Sequence, residues 1–522
     1  MKKTENITTA ALLLASSILL SRLLGYMREM LLAYKFGASA TTDAFYAAFQ
    51  IPDLLNYFLA GGALSIAFIP LYNRIQARDG DAAANQLMAT VLGTLGGIVV
   101  LLTAVLWWKA EALIRFQFPH FDEPTTALCV MLTRIVLPAQ IFFVTGGIIQ
   151  AVLLANRSFQ AAALAPLIYN ACTILGGYFL YPSFGIAGFS IGALIGSFLG
   201  PFLMPLLYAR KHIPIRLRIA PGDKNFLIYL VIAAPLMFGQ TLLTLDEWYG
   251  RWFGAMLASG SVAHISYARR LMQVPIAVIG QAIGAAALPT LAKLWAEDKV
   301  TELNKVLLQT LQTGIALSVL AGAGFIALAR PIVELVYEHG AFNAIDMEIV
   351  ALLTVTFGFA VPGWITQQII VRAFYARGDT VRPMVLGTIL SVLVIPLYMS
   401  LADSHGVQGL AAAGVIGMSA SAVATLLYAR ALHGAPKFIP LMLAFGSSLL
   451  IAIPAIALAW FLLRLRQAHF PLPDLPLKWT SLLDICVGGA GFAVVALPGI
   501  WLVGEDGLTE YIEKVVKRLL RL

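Results

Sequence analysis

The sequence is organised into long apolar runs of about 20 residues, the length that a helix needs to cross a hydrocarbon core of about 30 Å. The runs recur along all 522 residues, of which 60% are hydrophobic and 12% charged. An ordinary soluble domain carries about 25% charged residues. Because a helix satisfies its own backbone hydrogen bonds within lipid, the pattern predicts an all-α membrane protein.

About fourteen of these runs are predicted to span the membrane. They lie at about 8–34, 44–72, 86–108, 127–153, 158–180, 186–209, 225–247, 263–292, 305–328, 349–372, 383–402, 408–430, 438–463 and 479–503. Lys2 and Lys3 before the first run resemble the start of a signal peptide. Since many spans follow, we expect this run to be the first span.

The basic residues indicate how the spans are oriented. With a cytoplasmic N-terminus, most of the 35 Lys and Arg residues fall in connectors on the cytoplasmic side. This satisfies the positive-inside rule and predicts that both termini are cytoplasmic. The net charge of +8 therefore reports topology and gives no support for nucleic-acid binding, which needs a basic patch on a soluble face.

The chain contains an internal repeat. "LLANRSFQAAALAPLIYN" from Leu153 parallels "AFYARGDTVRPMVLGTIL" from Ala373. At an offset of 221, one residue more than that between the starts of these segments, three glycines of the first copy align with three of the second, namely Gly185, Gly188 and Gly196 with Gly406, Gly409 and Gly417. The alternative is that small residues recur at helix interfaces in any membrane bundle.

A duplication of six helices predicts a parallel repeat, since an even number returns the chain to the same side of the membrane. We expect two six-helix lobes around a central cavity, residues 1–218 and 219–434. Residues 435–522 then hold two additional helices and a cytoplasmic tail.

Five arginines fall within the predicted spans. They are Arg22, Arg28, Arg134, Arg269 and Arg270. Each would cost at least about 2.5 kcal/mol at a lipid-exposed midplane, and a guanidinium cannot shed its proton. We expect them to face the protein interior, a water-filled cavity or an interface.

Two local features bear on where these arginines point. A bend at Gly25 would bring Arg22 and Arg28 to one cavity, whereas the alternative for Arg28 is snorkelling to an interface. Arg269 and Arg270 are adjacent and point about 100° apart, so at most one faces the centre squarely.

The second span carries a polar stripe. Asp43, Gln50 and Asp53 have the spacing of one helical face, and Pro52 interrupts the helix between them. The alternative for Asp43 is that it caps the N-terminus of its own helix. Several guanidiniums with few carboxylates suit phosphate or pyrophosphate, which arginine binds bidentately.

No catalytic constellation is recognised in the sequence. There is no phosphate-binding loop or dinucleotide fingerprint, and the histidines and three cysteines show no metal-ligand spacing. The sequence therefore predicts a transporter with no catalytic residues, metal site or cofactor.

Several segments resemble the MurJ (also called MviN) family of bacterial lipid II flippases, in the multidrug/oligosaccharidyl-lipid/polysaccharide flippase superfamily. They are "SRLLGYMREMLLAYKFGASATTDAFYAAFQIPDLL", "GGALSIAFIPLY", "YARRLMQVPIAVIGQAIGAAALPTLAK" and "FYARGDTVRPM". The resemblance implies export of lipid II, the undecaprenyl-pyrophosphate-linked peptidoglycan precursor, across the bacterial inner membrane by alternating access. It also implies a role in cell-wall biogenesis and cell shape, with the last two spans contacting the polyprenyl tail.

The resemblance also indicates site residues. Arg22, Arg28, Asp43 and Arg270 match family positions regarded as important in the central cavity, and Arg269, Gln50, Asp53 and Asn56 are further cavity candidates. Departures from the family pattern occur at Asn56, Tyr57, Gly61 and Arg269, which alter the charge balance of the cavity.

Family members couple transport to an ion gradient or to the membrane potential. Asp379 matches a family aspartate and is a candidate for ion coupling, and its alternative role is that of a connector charge.

Expected partners are lipid II, membrane lipids and cell-wall synthesis proteins. Competing functions are flipping of another lipid-linked oligosaccharide, multidrug antiport and an enzyme acting on polyprenyl phosphates.

Overall fold

A computed structural model describes residues 7–60, 67–210, 213–243, 245–470 and 476–503. Throughout these ranges the regular structure is helical, without a strand. The chain forms two compact units, Met1–Ala263 and His264–Leu522. The division at residues 218 and 434, which rests on the sequence repeat, stays a prediction.

Twelve helices lie within the first unit. They are α1 (Ile7–Phe36), α2 (Ala40–Ala48), α3 (Gln50–Ala60), α4 (Ile69–Gln117), α5 (Glu123–Val136), α6 (Ala139–Ala155), α7 (Gln160–Phe179), α8 (Tyr181–Phe184), α9 (Ala187–Ser197), α10 (Met204–Ala209), α11 (Lys224–Leu243) and α12 (Leu245–Gly254). A π-helical segment, Phe198–Leu203, joins α9 to α10 and contains Pro201.

The second unit contains the remaining helices. They are α13 (Ser261–Pro275), whose first three residues belong to the first unit, α14 (Gln281–Ala296), α15 (Val300–Ala327), α16 (Ala329–Tyr337), α17 (Ala344–Gly358), α18 (Ala360–Ala376), α19 (Val381–His433), α20 (Phe438–His469) and α21 (Leu477–Val503). A π-helical segment, Ile276–Gly280, follows Pro275 and joins α13 to α14.

The helices account for the predicted spans, and the fold is that of a multi-pass membrane protein. In the described part of the chain, eight helices are long and apolar enough to cross a bilayer, or nine if the bent pair α17 and α18 forms one span. One of the eight, α19, has non-helical backbone at Gly406 that divides it into two predicted spans. The described residues of the other predicted ranges, spans 1, 2, 7 and 8, belong mainly to α1, to α2, α3 and α4, to α11 and α12, and to α13 and α14. Residues 61–66 of span 2 and residue 244 of span 7 lie outside the described residues.

The connectors of the two repeat copies have matching backbone conformations. Gly185 has φ 54° and ψ −132°, and Gly406 has φ 56° and ψ −136°. Arg157 and Gly378, at the same offset, both have positive φ. Positive φ is uncommon outside glycine, and Arg157 is the one of these four residues that is not glycine. The turns agree with the repeat predicted from the sequence, and the duplication itself stays a prediction.

A stripe of glycines lets α7 and α9 pack at close range. Gly188, Gly192 and Gly196 recur every four residues, which places them on one face of α9. A Cβ at Gly192 would lie 2.5 Å from the carbonyl oxygen of Cys172, and one at Gly196 would lie 2.8 Å from that of Tyr169. Small residues of this kind allow helix backbones to approach in a membrane, where packing replaces the hydrophobic effect.

The last two helices pack against each other and against other helices of the second unit. α20 lies on α15, and α21 lies on α16. The indole N–H of Trp460 donates to the carbonyl oxygen of Ala327 at the end of α15, at 3.2 Å. Arg466 and the buried Asp484 form an ion pair between α20 and α21. These contacts hold the pair as an integral part of the unit.

We expect Gly192→Ala to lower the melting temperature of the purified protein, because the new methyl group would overlap the backbone of α7. Overpacking of this kind costs about 1–3 kcal/mol. Gly97→Ala on α4 is the matched control, since a Cβ there meets no atom within 4 Å. Thermal melting in detergent measures both, and equal melting temperatures would contradict the close packing of α7 and α9.

Candidate functional site

A tight turn fixes α2 beside the end of α1. Gly37 has φ +59° and its N–H donates to the carbonyl oxygen of Ala33 at 2.8 Å. The hydroxyl of Ser39 then accepts from the N–H of Thr42 at 3.4 Å and caps α2. Because the turn is short, side chains from the first turns of α2 face the last turns of α1.

This turn brings Arg28, Glu29 and Tyr46 together. Arg28 Nη2 lies 2.8 Å from Glu29 Oε1, and the hydroxyl of Tyr46 donates to Glu29 Oε2 at 2.6 Å. Glu29 is 2% exposed, whereas the side chain of Arg28 is 19% exposed. The buried carboxylate therefore orients a guanidinium that keeps part of its surface open.

Glu29 is a site residue that the sequence analysis missed. Its signal was present, because a carboxylate inside a predicted span carries the same desolvation cost that drew attention to Arg28. Its partner Tyr46 lies 17 residues away on another helix. Only the fold of the turn shows that the two meet.

Asp43 caps a helix, but that helix is α13 and not its own. Asp43 is 3% exposed, and its Oδ2 accepts from the N–H of Gly260 at 2.6 Å while Oδ1 accepts from the N–H of Ala263 at 2.8 Å. A carboxylate is favoured at a helix N-terminus, where backbone N–H groups lack partners. Of the two roles considered for Asp43, capping of its own helix is filled by Ser39, and a role in the cavity stays a prediction.

The polar stripe predicted along the second span is interrupted. α2 ends at Ala48 and α3 begins at Gln50, because the ring of Pro52 clashes with the carbonyl of the residue four positions earlier. Gln50 is 3% exposed, and its side-chain oxygen has no hydrogen-bond partner within the described ranges. Asn56 on α3 is half-buried.

Asp53 is paired with a charge from another helix of the first unit. Arg251 Nη1, on the last turn of α12, lies 3.1 Å from Asp53 Oδ2. The side chains of Arg251 and Asp53 are 18% and 33% exposed. This ion pair was not predicted from the sequence, since its partners lie 198 residues apart.

The other in-span arginines have different surroundings. Arg22 is half-buried on α1, and Arg269 and Arg270 are half-buried on α13. Arg270 Nη1 donates to Gln273 Oε1 one turn later, at 3.3 Å. Arg134 instead stacks on the ring of Trp107, 5.1 Å from its centroid, an arrangement typical of a membrane interface.

Asp379 lies in the connector before α19. Its Oδ1 accepts from the N–H of Arg382 at 3.1 Å, and its Oδ2 lies 3.3 Å from Arg382 Nη1. These are the contacts of a helix-capping charge, and its part in ion coupling stays a prediction. In the described residues, no group of three His, Cys, Asp or Glu side chains could hold a metal ion.

The site combines arginine side chains with carboxylates that already accept hydrogen bonds from other groups of the protein. Glu29, Asp43 and Asp53 each hold a hydrogen-bond donor of the protein. A guanidinium has five N–H donors in a planar fork, and Glu29 engages Nη2 of Arg28. The arrangement favours binding of an anion with several oxygens over binding of a cation.

We expect Tyr46→Phe to destabilise the protein by about 1.5–3 kcal/mol, the usual worth of a hydrogen bond to a charged group. The variant removes the hydroxyl that donates to the buried Glu29. Tyr178→Phe is the matched control because Tyr178 is 58% exposed. Denaturant or thermal unfolding compares them, and a Tyr46→Phe protein as stable as the control would contradict the role of this bond.

We expect Asp43→Ala to speed amide exchange at Gly260 and Ala263, because both N–H groups lose their acceptor. Removing such a cap costs about 1–2 kcal/mol. Asp43→Asn keeps one acceptor oxygen and should show an intermediate effect. Hydrogen–deuterium exchange of peptides covering the start of α13 is the measurement, and unchanged protection in Asp43→Ala would refute the cap.

Known proteins are similar to this chain over about three quarters of their length. The lipid II flippase MurJ of Burkholderia cenocepacia is 30% identical over 403 residues, 75% of this chain and 77% of that protein. A probable lipid II flippase MurJ of Rickettsia prowazekii is 26% identical over 74% of this chain and 76% of its own length.

Two solved structures share the fold. One is the lipid II flippase MurJ in an inward closed conformation, with a TM-score of 0.78, 23% identity and coverage of 95% of this chain and 100% of that chain. The other is a multidrug resistance MATE family transporter of the MOP superfamily in an inward-facing conformation, with a TM-score of 0.70, 16% identity and coverage of 79% and 94%. At these identities the structures bear on the fold alone.

The model of the family described as lipid II flippase MurJ matches residues 32–476. That range covers Asp43, Asp53, Arg269 and Arg270 and all but the first and last of the described helices. Together with the relative at 30% identity, this match shows that the chain belongs to the lipid II flippase MurJ family, whose members are transporters and not enzymes.

Proposed function

We propose that this protein moves lipid II from the cytoplasmic to the outer leaflet of the bacterial inner membrane. The observation that carries the proposal is membership of the lipid II flippase family over residues 32–476. The buried, paired charges of α1, α2 and α13 support it, since charge within a membrane span is expensive and marks a functional path. Access to the path alternates between the two sides of the membrane.

The arginines supply the chemistry that the substrate requires. A pyrophosphate carries several oxygens, and arginine binds such groups with two parallel N–H···O bonds. Arg28 is oriented by Glu29, and Arg270 lies on the helix whose first turn is capped by Asp43. The polar headgroup passes along these residues while the polyprenyl tail stays in the lipid.

The orientation proposed for the chain places both termini in the cytoplasm, as the connector Lys and Arg residues favour. Lipid II is then taken up on the side where it is made and released to cell-wall synthesis proteins outside. An ion gradient or the membrane potential supplies the energy, with Asp379 as the candidate coupling residue. Proteoliposomes with and without an imposed potential distinguish these energy sources.

A multidrug antiporter is the competing function that shares the fold. A cationic drug would need acidic side chains that are free to receive it. Here Glu29 and Asp53 lie in ion pairs and Asp43 is held by two backbone N–H groups. This arrangement favours the anionic substrate.

We expect Arg28→Gln and Arg270→Gln each to reduce lipid II translocation at least about tenfold, because one charge-assisted bond is worth about 1.5–3 kcal/mol. Arg134→Gln is the matched control, since this in-span arginine stacks on Trp107 and should leave the rate near wild type. Reconstituted proteoliposomes with labelled lipid II provide the measurement.

Folding of each variant is checked by its elution volume and melting temperature. A folded Arg28→Gln or Arg270→Gln protein that transports at the wild-type rate would overturn the assignment. Rescue of a strain depleted of its lipid II flippase separates lipid II from other lipid-linked oligosaccharides, because these carry the same phosphate chemistry on a different sugar.

A further inference from the structure

The second unit contains a pocket of about 480 Å³ whose lining includes no residue of α1, α2 or α13. It opens where α15 ends, among α16, α17, α19 and α20. Its apolar wall is formed by Ile326, Ile349, Leu352, Val355, Val407 and Trp460. Its polar rim contains Arg330, Glu348 and Gln408.

The pocket is open to the surface of this unit. Leu352 and Trp460 are 55% and 46% exposed although both line it. An apolar pocket offers water too few hydrogen-bond partners to hold it. At about 30 Å³ for each water-sized volume, the space is large enough for a stretch of hydrocarbon chain.

One end of the pocket is built to meet the membrane–water interface. Trp460 donates its indole N–H to Ala327, and tryptophan is enriched at the level of lipid headgroups, where its ring is apolar and its N–H is polar. Arg330 and Glu348 at the same end are 57% and 59% exposed as side chains. The pocket therefore has the polarity of a phospholipid, charged at the rim and apolar within.

At the rim, the guanidinium of Arg330 lies between the carboxylates of Glu334 and Glu348. Arg330 Nε lies 2.9 Å from Glu334 Oε1, and Arg330 Nη2 lies 2.9 Å from Glu348 Oε1. Glu334 is also 3.4 Å from the hydroxyl of Ser481, which donates to it from α21. One guanidinium and two carboxylates leave the rim with an excess of negative charge, which disfavours a purely anionic headgroup.

We propose that this pocket binds a zwitterionic aminophospholipid of the phosphatidylethanolamine class. One acyl chain lies along the apolar wall, the phosphate contacts Arg330, and the primary ammonium contacts the exposed carboxylate of Glu348. Glu348 thus determines the specificity: it shares Arg330 with Glu334, so one guanidinium leaves part of the negative charge of the two carboxylates for the ammonium.

A polyprenyl chain is the other hydrocarbon that could enter the pocket. It carries no ammonium, so its binding would not depend on Glu348. Competition between the two lipids therefore separates this proposal from a second contact for the transport substrate, whatever the outcome of the translocation experiment.

The experiment uses the purified full chain, delipidated in mild detergent and incubated with equal amounts of phosphatidylethanolamine and phosphatidylglycerol of the same acyl chains. Native mass spectrometry counts the lipids that remain bound. We expect phosphatidylethanolamine to be retained at least about tenfold over phosphatidylglycerol, which corresponds to about 1.4 kcal/mol. Glu348→Gln should reduce that ratio to near one.

Leu352→Trp tests the wall of the pocket by filling it from an already exposed position, and should abolish retention of both lipids. Its matched control is Leu393→Trp, because Leu393 is 66% exposed on α19 and lies outside the pocket. Glu123→Gln is the control for charge, since Glu123 is a 70% exposed partner of Arg115 in the first unit. Both controls should bind lipid as wild type does.

Three outcomes would overturn the proposal. They are equal retention of the two phospholipids by the wild-type protein, an unchanged ratio in Glu348→Gln, and displacement of phosphatidylethanolamine by stoichiometric undecaprenyl phosphate. The first and third are measured on the wild-type protein and do not depend on the folding of a variant.

Discussion

A carboxylate buried within a membrane protein must receive hydrogen bonds, and the carboxylate of Asp43 receives two from backbone N–H groups at the start of α13. One turn further along α2, Tyr46 donates to Glu29 on α1. α2 therefore holds the end of the helix that carries Arg28 and the first turn of the helix that carries Arg270. The placement of Arg28 depends on this nine-residue helix through Glu29.

The acids of the site are as informative as its arginines. Each of the carboxylates of Glu29, Asp43 and Asp53 accepts a hydrogen bond from a donor of the protein itself. The site can therefore contain several acidic residues and still favour an anionic ligand. A fold shared with multidrug transporters does not decide between drug and lipid substrates. The decision lies in which charges are engaged by the protein and which remain available to a ligand.

Much of the fold could be predicted from the sequence. Apolar length identified the membrane class, because this signal is local in the chain, and glycines at a constant offset indicated the repeat. The partners of Asp43, Asp53 and Glu29 could not be predicted, since they lie 217, 198 and 17 residues away. Pro52 indicated locally that the helix is interrupted before α3. Asp43, Gln50 and Asp53, which lie on both sides of that break, were nevertheless predicted to share one helical face.

The paired turns at Gly185 and Gly406 bear on which residues these two connectors can accept. Their nearly equal backbone angles, at φ 54° and 56°, lie where a side chain with a Cβ is strongly disfavoured. The apolar residues of the helices on either side can be exchanged for one another at small cost, whereas any residue other than glycine would strain the turn. At these two positions the backbone conformation, and not the surrounding packing, restricts the sequence.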